Sequence, residues 1–193
     1  MTKLAWRAEE TSDGAVRMTV GDVDAAPRTP GARRRADFRH PWNPNDCDDE
    51  RIVRVKGWWC TTTVDKIQES GEIVVGGGKS RARIHGAGFS TRCSGRPHRM
   101  RQRYEIQRDS WDGMRPYTSL QETHWTADQN QTGQPISVGC PRGRVGTYTY
   151  RLAVAIELDD DRLPIGGTAD DSSVGDSPAT SPVIRTSCGT GDS

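Results

Sequence analysis

The 193-residue chain contains no stretch near the roughly 20 consecutive apolar residues that a membrane-spanning helix requires. A bilayer-crossing helix is therefore excluded. The first ten residues, Met1 to Glu10, also lack the apolar core of a secretory signal. The chain thus reads as intracellular, or as a mature form whose leader has been removed. Apolar residues are scarce at 32% and lie mainly between Ile52 and Leu158. The ends, rich in Pro, Gly, Ser, Asp and Arg, bury too little apolar surface to offset the entropy of ordering. Lysine is nearly missing, four residues against 23 arginines. That bias fits either forked, planar anion contacts or a GC-rich coding genome. No C-x-x-C pair joins any of Cys47, Cys60, Cys93, Cys140 and Cys188, which argues against a cysteine-knuckle zinc site. A G-x-S-x-G elbow and a protease-like cysteine context are missing too. These absences point to a protein that is not an enzyme and holds no cofactor or metal.

What is present is alternation. In Arg81 to His85, Arg99 to Ile106 and Tyr148 to Ile156 every second residue belongs to one set. Strand side chains point alternately to opposite faces, so Tyr104, Ile106, Tyr148, Tyr150, Leu152, Val154 and Ile156 fall on one side and arginines on the other. Strand signals recur over Ile52–Thr63, Glu72–Val75, Ser80–His85, Arg99–Arg108, Tyr117–Thr126, Ile136–Gly139 and Thr147–Leu158, separated by Gly- and Pro-bearing turns. The expected fold is all-β, an antiparallel β-sandwich of about seven strands. It is flanked by an N-terminal arm (1–50) with one short strand over Ala15–Val20 and by a disordered acidic tail (159–193). Asp65 to Gly71 offers at most a turn or two of helix.

The net charge of +1 hides an asymmetry, because Glu157 to Ser193 carries eight acidic residues against Arg162 and Arg185. A basic body with an acidic tail suits an anionic partner, or a tail that covers the body's own charge. The candidate binding set is Arg81, Arg83, His85, Arg99, Arg101 and Arg103, with Arg54 and Lys56 nearby and Trp111, Tyr117 and Trp125 as flat surfaces. Solvated strand faces also carry charge simply to block edge pairing. Four cysteines flank or sit in the body, with Cys93–Cys140 and Cys47–Cys60 as the expected disulfides and Cys188 left over. Five reduced thiols in a cytosolic protein is the alternative.

Weaker motifs were weighed and set aside. Asn43 to Glu50 crowds oxygen ligands but lacks the glycine and distal carboxylate of a calcium loop. Gly76-Gly77-Gly78-Lys79-Ser80 ends like a phosphate loop, yet Ile73 stands where the first glycine belongs. His40, His85, His98 and His124 sit singly, and a hydrolytic site built on His124 and Glu122 is a distant reading. Of adjacent Trp58 and Trp59, one must face away from the core.

Two segments, Arg103 to Trp111 and Cys140-Pro141-Arg142-Gly143 leading into Tyr148-Thr149-Tyr150-Arg151, resemble uncharacterised β-rich proteins exported by actinobacteria. The resemblance spans roughly Ile52 to Leu158. It implies a disulfide-bearing extracellular sandwich and brings no catalytic residue. The functional expectation is a non-catalytic module that binds an anionic polymer or a protein partner outside the cell. The alternative is a structural subunit of a phage tail or capsid decoration, with the chain then cytoplasmic or in a virion.

Overall fold

The computed structural model describes residues 2–4, 6–34, 51–53, 56–70, 74–75, 78–79, 83–85, 88–97, 99–139, 147–159 and 178–186. Among them every regular element is a strand. In chain order these are β1 (Thr2–Leu4), β2 (Trp6–Glu10), β3 (Val16–Gly21), β4 (Arg33–Arg34), β5 (Arg51–Val53), β6 (Trp59–Val64), β7 (Gln68–Ser70), β8 (Val74–Val75), β9 (Gly78–Lys79) and β10 (Arg83–His85). They continue as β11 (Phe89–Cys93), β12 (Arg99–Ser110), β13 (Gly113–Pro116), β14 (Gln121–Glu122), β15 (Asn130–Thr132), β16 (Ser137–Gly139), β17 (Tyr148–Asp159), β18 (Ala179–Thr180) and β19 (Ile184–Thr186). The protein is all-β, with more and shorter strands than the pattern suggested.

A 12-stranded antiparallel sheet runs β13-β12-β17-β18-β3-β6-β11-β15. β14 also pairs with β12, β19 with β17, and β2 joins β3 to β4. The sheet curls. One run of chain, 113–132, lies along β12 through Pro116, Gln121 and a bridge at Thr126, then along β11 through β15. It therefore occupies both ends of the sheet. A three-stranded sheet, β16-β10-β7, packs its Ile84 and Val138 into the same apolar cluster. β8 with β9 and the parallel pair β1 with β5 complete the strands.

The longest ladder joins β12 to β17, pairing Tyr104 with Val154 and Ile106 with Leu152. Cross-strand partners share a face, so the alternating apolar residues of both strands meet in one layer. Ile106, Tyr150 and Leu152 are wholly buried there, the two aliphatic side chains each stabilising the fold by about 1.5–3 kcal/mol. Phe89 stacks obliquely on Tyr104 with centroids 4.7 Å apart. A Cβ at Gly133 would overlap the Phe89 ring, so only glycine fits beside it.

Two stretches read as polar flanks contribute strands to this sheet. Trp6–Glu10 and Val16–Gly21 form a hairpin whose Met18 and Val20 lie opposite Thr62 and Cys60 of β6. Buried Arg7 holds the following loop, donating to the carbonyl oxygens of Val23, Ala26 and Pro27. In the C-terminal stretch, Ala179 pairs with Val154 and the Ser181 hydroxyl accepts from the Leu152 amide at 2.9 Å. These strands of two and three residues are too short to show a period. Residues 35–50, 160–177 and 187–193 lie outside the described set.

The expected cysteine pairings are corrected. Cys60 is bonded to Cys93, with Cα atoms 4.0 Å apart, which leaves neither available for Cys47 or Cys140. The reason is register: β6 and β11 are antiparallel neighbours and the two cysteines face each other directly. Strand β11 had not been anticipated. Cys47, Cys140 and Cys188 lie outside the described residues. Met100, Trp58, Val20 and Ile156 enclose the bridge, and Met100 Sδ lies 3.9 Å from Cys93 Sγ. Replacing both cysteines by alanine should lower unfolding free energy by about 2–4 kcal/mol, read from the urea midpoint. An unchanged midpoint would show that the bridge does not constrain the fold.

Candidate binding surface

The candidate cations do not share one sheet. Arg83 and His85 belong to β10 in the small sheet, whereas Arg99, Arg101 and Arg103 belong to β12. Arg54 and Arg81 lie outside the described residues. Within β12 the ladder sets an acid opposite two of the arginines: Arg101 faces Glu157 on β17, and Arg103 faces Glu122 on β14. Arg101 Nε lies 2.6 Å from Glu157 and its Nη1 2.6 Å from Glu122. Arg103 Nε lies 3.0 Å from the other Glu122 oxygen. The hydrogen bond to Glu157 is the main reason that the Arg101 pKa is raised further. Above the pairs, the guanidinium groups of Arg99 and Arg101 sit 5.1 and 4.8 Å from the centre of Trp125. Trp125 is thus a lid on the arginines, and its ring is engaged.

The same face continues as a polar chain. Arg151 donates to Gln107 at 2.9 Å, and Gln107 donates to Glu105 at 2.9 Å. Glu105 is fully buried, so its position depends on such bonds. Near the far end of β12, Arg108 lies between Tyr117 and Tyr148, 4.8 and 4.6 Å from their centres. Tyr117 meets Tyr150 edge-on at 5.4 Å. This aromatic and cationic stack escaped the sequence reading, because Arg108 is a charged residue in phase with Tyr104 and Ile106 and meets the tyrosines only once the ladder puts it beside Tyr150.

The β12–β13 turn is different. Ser110 pairs with Gly113, leaving Trp111 and Asp112 at the tip. Gly113 has φ of 117°, a conformation that other residues rarely adopt. Asp112 is chelated by the Arg115 guanidinium, which holds its carboxyl below the ordinary carboxylate range. Trp111 is 95% exposed. Only Trp6 and Val183 accompany it as exposed large apolar side chains among the described residues.

Beside this hairpin a cleft of about 540 Å³ opens between Tyr117–Gln121 and Pro135–Val138, floored by Tyr104. Its size falls within the roughly 300–1,000 Å³ of small-ligand sites. Trp58 is half-buried against the disulfide and donates to Gly95 O at 3.3 Å. His124 is exposed, while the Glu122 carboxylate is held by Arg101 and Arg103. No group of three His, Cys, Asp or Glu side chains suited to a metal ion occurs among the described residues. No helix among them is long and apolar enough to cross a membrane. His40, His98 and the Asn43–Glu50 loop lie outside the described set. No family model matches this chain, and neither the curated proteins nor the solved structures contain a match.

Two outcomes are expected. Glu122→Gln keeps the shape but removes the carboxylate that Arg101 and Arg103 share. Stability should fall by about 1 kcal/mol, while retention on heparin should rise. Unchanged retention would show that the carboxylate does not mask the cations. Burial also raises the phenols of Tyr104 and Tyr150 above their ordinary 10.0. A pKa higher in the folded than in the unfolded chain gives stability that is complete below pH 10.0 and lost as pH climbs through the folded values. The urea midpoint should therefore fall in alkali, and Tyr104→Phe should flatten the fall. An equally steep fall in that variant would assign it to other groups.

Proposed function

We propose that the protein is a non-catalytic binding module that acts outside the cell and engages a protein partner through the hairpin tip bearing Trp111. The observation that carries this reading is the 95% exposure of Trp111 on a turn pinned by Gly113 and the Asp112–Arg115 pair. An indole held in water gains free energy when a partner covers it, and tryptophan is among the residues that dominate binding interfaces. A pinned turn also loses little further entropy on association. The ion pairs of Arg101 and Arg103 favour a protein over an anionic polymer, since their charge is already met by Glu122 and Glu157. The buried Cys60–Cys93 bridge supports an oxidising compartment.

The test places a photo-reactive phenylalanine analogue at position 111 and, separately, at 125. In culture medium of the source cells, position 111 should yield discrete protein adducts and position 125 none. Retention on heparin that is salt-sensitive and unaffected by Trp111→Ala would instead identify a polymer-binding module. Concentration-dependent self-association lost in Trp111→Ala would make the tip an assembly contact.

A further inference from the structure

The cleft beside the hairpin has walls made of strand edges. On one side stands β16, which pairs only with β10 among the described residues. The Gly139 carbonyl oxygen accepts from the Tyr117 hydroxyl at 3.5 Å. In an antiparallel ladder a residue's N–H and C=O point to the same side, and residues two apart point alike. Every second residue of β16 therefore directs its backbone groups away from β10, and the Ser137 side chain is exposed. On the other side the Gln121 amide folds back on its own loop, 3.4 Å from Ser119 O, 3.2 Å from Ser119 Oγ and 3.3 Å from Leu120 O. It supplies a donor to carbonyl groups of residues 119–120, between the β13 and β14 pairings with β12.

The lining is also electrically neutral. Of the nine residues Tyr104, Tyr117, Thr118, Ser119, Gln121, Pro135, Ile136, Ser137 and Val138, none carries a carboxylate, ammonium or guanidinium group. A charged occupant would be desolvated there without a counter-charge.

We propose that this cleft receives an extended, uncharged peptide segment of the protein partner, which adds as a strand to the edge of β16 that no described residue pairs with. Backbone bonds to the outward-facing residues of β16 hold it, and Ile136 and Val138 flank alternate side chains. The inference rests on the protein-partner reading above and names the second contact of that same partner.

The probe is an acetylated and amidated hexapeptide alternating valine and threonine, about the usual length of a strand, titrated into the oxidised full-length protein under amide-detected NMR. Shifts should centre on Ser119, Leu120, Ser137 and Gly139. The same peptide with its alternate amides N-methylated should bind about tenfold more weakly, the loss of one net backbone hydrogen bond. Gln121→Ala removes the competing amide and should strengthen it. Equal affinity for the methylated peptide overturns the proposal without relying on any variant. Shifts produced by maltose but not by the peptide overturn it in favour of a sugar. If the peptide fails while crosslinking at position 111 succeeds, only the cleft is refuted; if crosslinking fails as well, the partner reading falls with it.

Discussion

Ten residue pairs between β12 and β17, from Arg99 with Asp159 to Arg108 with Tyr150, set the positions of nearly everything else. Strand side chains repeat every two residues, so a slip of one would turn Tyr104, Ile106, Leu152 and Val154 outward and draw Arg101, Arg103 and Glu157 into the core. Both faces resist that slip. On one, Ile106 against Leu152 gains burial; on the other, Arg101 against Glu157 gains a short charge-assisted bond. The apolar term supplies most of the free energy, and the charge pair makes wrong registers costly. The same ladder then positions its neighbours, since β14, β18 and β19 dock on β12 or β17.

Because the polar face is built by cross-strand pairing, its arginines serve as structure before they serve as ligand groups. Arg101 reaches two carboxylates and lies under Trp125, and Arg103 is nearly buried beside Glu122. Holding those guanidinium groups ready for a polymer phosphate would require breaking bonds already made. An anion would have to replace partners that are held at no translational cost, which is a poor exchange in energy. That comparison moves attention from the charged face to the hairpin tip, where Trp111 has nothing to break.

Legibility in the sequence followed strand length. The 12-residue strands β12 and β17 are long enough to show a period of two, and Tyr104, Ile106, Tyr150, Leu152 and Val154 are legible in it, whereas buried Met100 and Ala153 are not. Strand β11, five residues of alternating burial, was missed because Thr91 and Cys93 fill inward positions that a hydrophobic count leaves out. That omission carried the disulfide with it, since Cys93 meets Cys60 only through the β6–β11 register. Separation of His85 from Arg101 into different sheets was equally hidden, because strands with the same period do not announce which sheet they join. Trp111 was readable as a candidate, but its exposure depends on Gly113 turning the chain there.

Curling the sheet solves one problem of β architecture and leaves another. Residues 113–132 pair with β12 at one end and β11 at the other, so a single run covers both long edges. The run must bridge two strands that diverge as the sheet curls, and it can follow each for only a few residues. Between its contacts with β12 its backbone turns away, and there Gln121 supplies a side-chain donor to carbonyl groups of residues 119–120. Among the described residues the small sheet ends at β16, and its strands are three residues long. The cleft is therefore a geometric remainder of closure. It lies where two incomplete edges approach, and its neutral lining follows from its place at the boundary of the apolar cluster that Ile84 and Val138 share with Tyr104. A surface of this kind offers backbone polarity without side-chain charge, and the occupant that matches both is another stretch of extended chain.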